Sequence, residues 1–219
     1  TYIKPKLYTK VVDHDGNVIL DNTQPDSRQV IKETTAWLLT SAMQDVVTEG
    51  TGASVNFGNM AIAGKTGTTS DYNDVWFSGY TPYYTATTWT GYDNNVKLRN
   101  GRPVNNWWGS EYRGLNSLRQ GIIQSMNIVA VKTLTLITPQ LGFDYVKNFG
   151  FTTVVEREEV VINGQTQVFS DIQQSLALGG LTRGVTNEEL NAAYASIANG
   201  GTYIKPKLYT KVVDHDGNV

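Results

Sequence analysis

The chain has 219 residues, of which 40% are hydrophobic and 17% charged, and its formal net charge is −2. This composition is typical of a globular domain with a sizeable core and excludes a disordered chain. The near-neutral charge gives no basic footprint, so we expect no nucleic acid partner. Cysteine is absent, which fits an extracytoplasmic location without requiring one. No apolar run approaches the roughly 18 residues of a membrane span and no signal peptide opens the chain, so we expect any anchor to lie outside this sequence.

An internal duplication sets the organisation of the chain. Residues 1–18 recur unchanged as residues 202–219, an offset of 201. Two copies are too few for a solenoid, which needs about three stacked repeats. The copies instead indicate an overlap, because residue 219 could run on into residue 19 as residue 18 does. The chain is then a rotated, or circularly permuted, domain with one segment doubled, and a duplication during assembly of the chain explains the repeat equally well.

The first predicted elements are a hairpin and a helix. Asp13–Asn17 contains the Asp-Gly pair of a tight turn, which places His14 at an exposed turn tip. Because the duplicate supplies the other histidine of the chain, we expect neither a His-dependent triad nor a zinc site. Asp26 is predicted to cap a helix that ends at Gly50, with Gln29 as its capping-box partner. Apolar residues at helical spacing predict the buried face of that helix: Val30, Trp37, Leu38, Met43, Val46 and Val47.

The stretch with the strongest chemical signal reads Ala-Gly-Lys-Thr-Gly-Thr-Thr at 63–69. Its one cation is Lys65, and its glycines let a ligand approach the backbone closely. A lysine on a strand edge can bind an anionic substrate, and a neighbouring N–H can face a developing oxyanion. The candidate substrate-binding residues beside Lys65 are Thr66, Gly67, Thr68 and Thr69.

Strands are predicted on both sides of this motif. Residues 59–63 lead into Lys65 as a strand, and residues 75–92 form a hairpin that turns at Thr81-Pro82. The polar segment that follows, at 94–103, is the predicted seam between the two rotated parts of one domain, which spans residues 1–219.

A polar pair lies at a predicted helix junction. Two helical runs after residue 114 meet at Ser125-Met-Asn127. Ser-x-Asn sequences occur often by chance, and local helix capping by Ser125 and Asn127 is the alternative interpretation.

The last third of the chain contains sequence signals for a hairpin and for a capped helix. Residues 151–169 are predicted as a hairpin with Asn163-Gly164 at its turn. The acidic residues at 156–159 are interpreted as solvated rather than as paired catalytic carboxylates. Thr186 is predicted to cap a helix, and Glu189 completes the capping box.

Together these motifs resemble the transpeptidase domain of class A penicillin-binding proteins. The resemblance rests on Lys-Thr-Gly with the Trp-Phe-Ser-Gly-Tyr-Thr-Pro hairpin after it, on Ser-x-Asn, and on Gly-Gly-Leu-Thr-Arg-Gly-Val-Thr at 179–186. It covers nearly the whole chain in rotated order, since the family order is recovered by reading residues 102–219 and then 19–95. It implies an α/β (α+β) fold in which helices pack on an antiparallel sheet, as in penicillin-binding proteins and β-lactamases, here incomplete.

The chain departs from the family at the first motif, Ser-x-x-Lys, which supplies the acyl-forming serine and its activating lysine. No serine in this sequence is followed by lysine three positions later. Only Thr1 with Lys4, and their copies Thr202 and Lys205, place a hydroxyl at that spacing, and both pairs lie before proline in a predicted strand. The resemblance therefore implies a transpeptidase segment without its nucleophile, which alone should not form an acyl-enzyme.

The resemblance also implies roles for the matching residues. Lys65 would hold its positive charge against the substrate carboxylate, assisted by the hydroxyls of Thr66 and Thr68, and the Thr68 N–H would form one arm of the oxyanion hole. Ser125 would relay a proton to the leaving amine, and Asn127 would hold the substrate amide. The implied partners are D-Ala–D-Ala stem peptides of peptidoglycan and the β-lactams that mimic them, without a cofactor, at the extracytoplasmic face of a bacterial cell envelope.

Two alternatives stay open. One is a non-catalytic fragment that binds peptidoglycan or β-lactams, or docks onto a missing segment carrying Ser-x-x-Lys. The other is a relative of serine β-lactamases or D,D-carboxypeptidases. For the structure we expect the Ser125 hydroxyl within hydrogen-bonding reach of the Lys65 ammonium, directly or through one water. We also expect only one copy of Thr-Tyr-Ile-Lys-Pro to occupy the native strand position.

Overall fold

The computed structural model describes residues 10–21, 27–69, 74–91 and 114–206. Its strands are β1 (Lys10–Val12), β2 (Val18–Asp21), β3 (Ser27–Gln29), β4 (Ala63–Thr68), β5 (Asp74–Tyr80), β6 (Thr85–Gly91), β7 (Glu158–Ile162), β8 (Gln165–Phe169) and β9 (Thr202–Ile204). Its helices are α1 (Glu33–Thr48), α2 (Leu118–Ile123), α3 (Asn127–Ile137), α4 (Pro139–Asn148) and α5 (Asn187–Ala198). The predicted fold class, helices packed with antiparallel strands, is confirmed. Within the described ranges, no helix combines the length and apolarity needed to cross a bilayer.

A three-stranded antiparallel sheet in the order β4-β5-β6 carries the Lys-Thr-Gly motif. The predicted hairpin after the motif is confirmed for residues 75–91, and the Thr81 N–H donates to the Tyr84 carbonyl across its turn, 2.8 Å. The strand before Lys65 is shorter than predicted and begins at Ala63 rather than at residue 59. The reason is that Ala63 already pairs with Tyr80, the last residue of β5, so earlier residues have no strand opposite them.

The core of this sheet faces α1 and α5. Met43 of α1, Ala63 of β4 and Tyr80 of β5 form a buried cluster, against which Tyr194 of α5 packs. Burial, with a smaller contribution from nearby Tyr80, raises the pKa of Tyr194 to about 12. The Tyr80 hydroxyl is hydrogen-bonded to Thr40 at 2.7 Å. Full burial of a side chain as large as that of Met43 stabilises a fold by about 1.5–3 kcal/mol. This cluster therefore holds the sheet on its helices.

The start predicted for the first helix is wrong. Residue 26 lies outside the described residues, and Gln29 belongs to β3, where it pairs with Thr202 of β9. The Gln29 side chain donates to the Gly200 carbonyl and accepts from the Thr202 hydroxyl, so it serves the strand pairing instead of a capping box. The helix begins at Glu33 and ends at Thr48, and its N-cap residue, Lys32, makes no side-chain capping bond.

The predicted buried face of α1 is correct in its second half only. Met43, Val46 and Val47 are buried, whereas Trp37 is 68% exposed and Leu38 is 56% exposed. The buried residues face β4, α2 and α5, and nothing in the described residues covers the two exposed side chains. Val30 is buried as well, but it lies before the helix and packs against Tyr203.

Local turn and cap signals are confirmed where the structure describes them. β1 pairs with β2 across the Asp13–Asn17 turn, and β7 pairs with β8 across Asn163-Gly164, both of which have positive φ. Thr186 and Glu189 form the predicted capping box at the start of α5. The acidic residues at 156–159 lie in exposed ion pairs with Lys147, Arg157 and Arg183, as a solvated role requires.

Two expectations about chain organisation fall partly outside the described residues. The predicted seam at 94–103 lies wholly outside them. Of the duplicated segment, the structure describes residues 10–18 of the first copy and residues 202–206 of the second. These are different positions of the repeat, so no position is described twice, and the expectation that one copy takes the native position stays a prediction.

A buried carboxylate fixes the segment before α5. Asp171 is fully buried and accepts hydrogen bonds from the Val155 N–H, the Thr182 N–H and the Thr182 hydroxyl, at 2.7, 2.7 and 2.6 Å. Hydrogen bonds to an ionised acceptor are about twice as strong as neutral ones, and they offset the cost of burying the charge. Asp171 therefore ties the Gly-Gly-Leu-Thr stretch at 179–182 to the chain that enters β7.

Replacing this carboxylate should destabilise the fold. Asp171→Asn puts an amide donor where an oxygen accepts an N–H, so at least one bond is lost and a donor stays buried. We expect the free energy of unfolding to fall by about 2–4 kcal/mol, measured as a lower urea midpoint. The control is Asp144→Asn on the exposed surface of α4, which should change stability by less than about 0.5 kcal/mol. Equal urea midpoints for Asp171→Asn and the original chain would contradict this assignment.

Candidate functional site

Strand β4 holds Lys65 between the sheet and the helices. Lys65 is directly opposite Ser78 of β5, and both side chains therefore lie on the same face of the sheet, with the buried Ser78 hydroxyl bonded to Thr87 at 2.7 Å. On the other face the Phe77 ring covers Gly64, where a Cβ would lie 2.5 Å from the ring carbon Cζ. Glycine is thus required beside Lys65 because the aromatic ring packs directly on the strand backbone.

Ser125 lies at the junction between α2 and α3, as predicted. Its backbone has a φ of 52°, in the left-handed region that a non-glycine residue rarely adopts. The Ser125 N–H donates to the Ile122 carbonyl, 3.2 Å, which ends α2 and lets α3 begin at Asn127. Gly121 permits this sharp change of direction, since a Cβ there would lie 2.6 Å from Cγ1 of Val129.

The structure brings the two motifs into direct contact. Lys65 Nζ donates to Ser125 Oγ at 2.8 Å and to the Thr66 carbonyl at 2.9 Å. The predicted approach of the Lys65 ammonium to the Ser125 hydroxyl is confirmed, and no bridging water is needed. The two residues are 60 positions apart in the sequence, so the contact is a product of the fold.

Burial changes the acid–base chemistry of the lysine. Loss of solvent lowers the pKa of Lys65 to about 8, from a usual value of 10.5. No acidic side chain of the described ranges forms an ion pair with Lys65, so nothing in them neutralises its charge. Near neutral pH the lysine is mostly charged and still able to exchange its proton with Ser125, to which it is hydrogen-bonded.

A second hydroxyl joins the site from the loop after α1. The Thr51 and Thr66 hydroxyls are hydrogen-bonded at 2.8 Å, and the Thr51 N–H donates to the Ile123 carbonyl at the end of α2. Sequence reasoning missed Thr51, which comes directly after the predicted end of the helix at Gly50. The signal that could have found it is its position at the end of the helix that precedes the Lys65 strand.

The outer edge of β4 carries backbone groups that no described strand pairs with. Of the described strands, only β5 pairs with β4, which makes β4 an edge strand. The Thr69 N–H donates to the Asp74 carbonyl of β5, 3.1 Å. Because N–H groups alternate in direction along an antiparallel strand, those of Thr66 and Thr68 point away from β5 to the open edge. The motif thus presents backbone donors beside the Lys65 cation.

The remaining predicted residues lie around this centre. Asn127 is exposed at the first position of α3, and its side chain has no hydrogen-bond partner among the described residues. Gly67 pairs with Trp76, and a Cβ there would lie 3.3 Å from the Trp76 Cβ. Thr68 is exposed, and the Thr69 side chain bonds to Asp74 at the end of the hairpin.

The described residues contain neither a group placed to hold a metal ion nor a Ser-x-x-Lys sequence. No group of three His, Asp or Glu residues in them is placed to hold a metal ion. Thr202, the one described hydroxyl with lysine three positions on, lies in β9, where it donates to Gln29 at 2.7 Å. Thr1 and Lys4 lie outside the described residues.

Comparison with known proteins identifies a family. The model of the penicillin-binding protein transpeptidase domain matches the chain in two segments, residues 1–97 and 90–219. Similar proteins include penicillin-binding protein 1A of Clostridium botulinum strain Langeland, 47% identical over 96 residues, which are 43% of this chain and 12% of that protein. Penicillin-binding protein 1A of Clostridium acetobutylicum is 44% identical over 110 residues, 49% of this chain and 14% of that protein.

A third relative shows the same pattern of coverage. Penicillin-binding protein 1F of Bacillus subtilis is 37% identical over 99 residues, 42% of this chain and 14% of that protein. The matched part of the chain thus spans about a seventh of each relative's length or less.

The lowered pKa of Lys65 should appear in the pH dependence of stability. The folded chain binds the Lys65 proton less tightly than the unfolded chain, so the charged lysine costs stability below about pH 8. That cost is relieved as pH rises from about 8 to 10.5, because the folded chain then loses the proton first. We expect the unfolding free energy, relative to Lys65→Met, to rise by up to about 3 kcal/mol over this range in urea titrations. A constant or falling difference would contradict the burial of the ammonium.

Proposed function

Because the chain belongs to the penicillin-binding protein transpeptidase family, we propose that it provides the Lys-Thr-Gly strand and the Ser-x-Asn turn of a peptidoglycan-cross-linking D,D-transpeptidase site. The observation that carries the proposal is the 2.8 Å hydrogen bond between Lys65 Nζ and Ser125 Oγ. Two sequence motifs that are individually weak signals meet at one point, as a shared role in catalysis requires.

The substrate class follows from the charge and the free backbone groups. A D-Ala–D-Ala stem peptide ends in a carboxylate, which the Lys65 cation attracts and the Thr66 and Thr68 hydroxyls can bond. The open edge of β4 suits an extended peptide, which can add to the sheet as a further strand. In this arrangement the outward Thr68 N–H faces the scissile carbonyl as one donor of an oxyanion hole.

The proton transfers belong to Ser125 and its neighbours. When the acyl bond forms, the leaving amine needs a proton, and Ser125 can deliver one that Lys65 replaces. The Asn127 amide, which has no hydrogen-bond partner among the described residues, can hold the peptide backbone of the substrate. The left-handed backbone of Ser125 fits such a role, since strained conformations cluster at functional sites.

The covalent step needs a serine that this chain does not carry as Ser-x-x-Lys. The attack of that serine on the D-Ala–D-Ala carbonyl would come from a further segment, docked beside Lys65. We propose that the chain is a rotated transpeptidase domain with its seam at 94–103, and the two overlapping family matches, 1–97 and 90–219, support this organisation. The alternative is a module that binds stem peptides or β-lactams reversibly, which the missing nucleophile favours.

The family also suggests where the protein acts. Peptidoglycan stem peptides are cross-linked outside the cytoplasmic membrane, so we propose an extracytoplasmic location in a bacterial cell envelope.

Without a second segment the chain should not be acylated. Incubation with a fluorescent penicillin, followed by intact-protein mass spectrometry, should leave the mass at 24.2 kDa. The reason is that loss of the nucleophile leaves only binding and the oxyanion hole. A stoichiometric adduct would overturn this, and peptide mapping would then name the nucleophile.

Reversible binding of the substrate carboxylate should depend on Lys65. We expect Lys65→Ala to weaken binding of an acyl-D-Ala–D-Ala peptide by about 10–100-fold in isothermal titration calorimetry, the usual cost of losing a charged hydrogen bond. Lys132→Ala, on the exposed side of α3, is the matched control and should bind normally.

The same peptide with an amidated C-terminus separates the carboxylate contact from a general loss of the fold. Lys65→Ala should bind the amidated peptide as the original chain does. An equal loss with both peptides would show that Lys65 does not bind the carboxylate.

A further inference from the structure

The two copies of the 18-residue repeat supply strands to two separate pairings. The N-terminal copy supplies β1, which pairs with β2, and the C-terminal copy supplies β9, which pairs with β3. β2 and β3 follow each other along the chain, since β2 ends at Asp21 and β3 begins at Ser27. The partners of β1 and β9 are therefore consecutive parts of one stretch.

The registers of these two pairings differ by one residue. The offset of 201 maps Lys10 onto Lys211, so the Lys10–Asp21 pair corresponds to Lys211 opposite Asp21. From the Ile204–Ser27 pair to that position, the C-terminal copy advances seven residues (204 to 211) and the opposite stretch goes back six (27 to 21). One β-bulge absorbs a difference of one residue, and the β1–β2 pairing already contains such an irregularity. In the structure the two pairings belong to separate two-stranded sheets, and a single antiparallel ladder containing both would need one bulge between them.

We propose that the edge of β2 that pairs with β1 is a docking site for residues 211–213 of the same chain. These residues are identical in sequence to residues 10–12, which occupy the edge in the structure. The structure contains the first state, in which the N-terminal copy is docked. In the second state the C-terminal copy continues from β9 along the same ladder and displaces β1. This exchange is a property of the duplicated chain and is independent of the proposed enzymatic function.

Equal side chains make the competition close. The two copies are identical, so the cross-strand pairs that each would form with β2 are the same. The N-terminal copy has the advantage of a short covalent turn, in which the Asp13 carboxylate accepts from the Asp15 and Asn17 N–H groups. The C-terminal copy has the advantage that β9 is already paired with β3, so its next residues extend an existing ladder without closing a new loop.

The tether favours exchange within one chain over exchange between chains. Residue 211 follows the end of β9 by seven positions (204 to 211), and so short a tether would give the docking segment an effective concentration of about a millimolar. Two chains at micromolar concentration cannot compete with that value. The occupant is therefore the chain's own C-terminal segment.

Disulfide trapping distinguishes the two states directly, because the chain has no cysteine. One variant, Val11→Cys with Leu20→Cys, reports docking of the N-terminal copy, since these residues are paired in β1 and β2. The other, Val212→Cys with Leu20→Cys, reports docking of the C-terminal copy at the equivalent position. Directly opposite residues in antiparallel strands are close enough for a disulfide. Ile204→Cys with Leu20→Cys is the control, because Ile204 pairs with Ser27, seven residues from Leu20 (20 to 27).

We expect mild oxidation to give monomeric disulfides in the first two variants and none in the control, as seen by non-reducing electrophoresis and peptide mass mapping. In an antiparallel strand, alternate N–H groups point to the partner strand, so one of Val11 and Val12 donates toward β2. Replacing both by proline removes that donor and weakens the β1–β2 pairing. Those substitutions should raise the yield of the disulfide between positions 20 and 212 at least about twofold where the N-terminal copy is the major state. The proposal is overturned if that disulfide never forms in monomers while the one between positions 11 and 20 does, or if it forms only between chains.

Discussion

The hydrogen bond between Lys65 and Ser125 depends on how closely a strand edge and a helix junction approach each other. On the strand side, the Phe77 ring of β5 packs on Gly64 of the neighbouring strand β4. On the helix side, Gly121 lets Val129 pack against α2, so that the chain reverses direction at Ser125. The Thr51–Ile123 backbone contact then fastens α2 to the loop before β4. Each of these is a packing constraint, and the chemistry of the site is their result.

The site lowers the stability of the folded chain, as functional sites commonly do. A partly buried lysine without an ion-pair partner in the described residues, next to a serine with a left-handed backbone, opposes folding. An anionic ligand would remove part of this cost, because its charge would pair with the ammonium. Stability for the surrounding structure comes from elsewhere, including the buried cluster around Tyr80 and the Asp171 hydrogen bonds.

Sequence reasoning succeeded where the determining contacts are local. The Asn163-Gly164 turn and the capping box of Thr186 and Glu189 need only neighbouring residues, and the Lys65 strand and Ser125 junction were recognised as motifs. Sequence reasoning failed where a residue far away in the sequence determines the local structure. Gln29 reads as part of a helix start, but its partner in the structure is Thr202, 173 positions away. Trp37 has helical spacing for the core, yet which face of α1 is buried depends on β4 and α5, which the pattern alone does not locate.

The backbone of Ser125 narrows which residues can serve at the centre of the site. A φ of 52° is unfavourable for β-branched residues, so threonine, which would keep the hydroxyl, is a poor substitute there. Glycine and asparagine suit that backbone but bring no hydroxyl to Lys65. Position 125 therefore needs both a hydroxyl and a left-handed backbone, and serine supplies the hydroxyl at a lower conformational cost than threonine. In this turn, replacing serine by threonine would disturb the local backbone conformation as well as change the side chain.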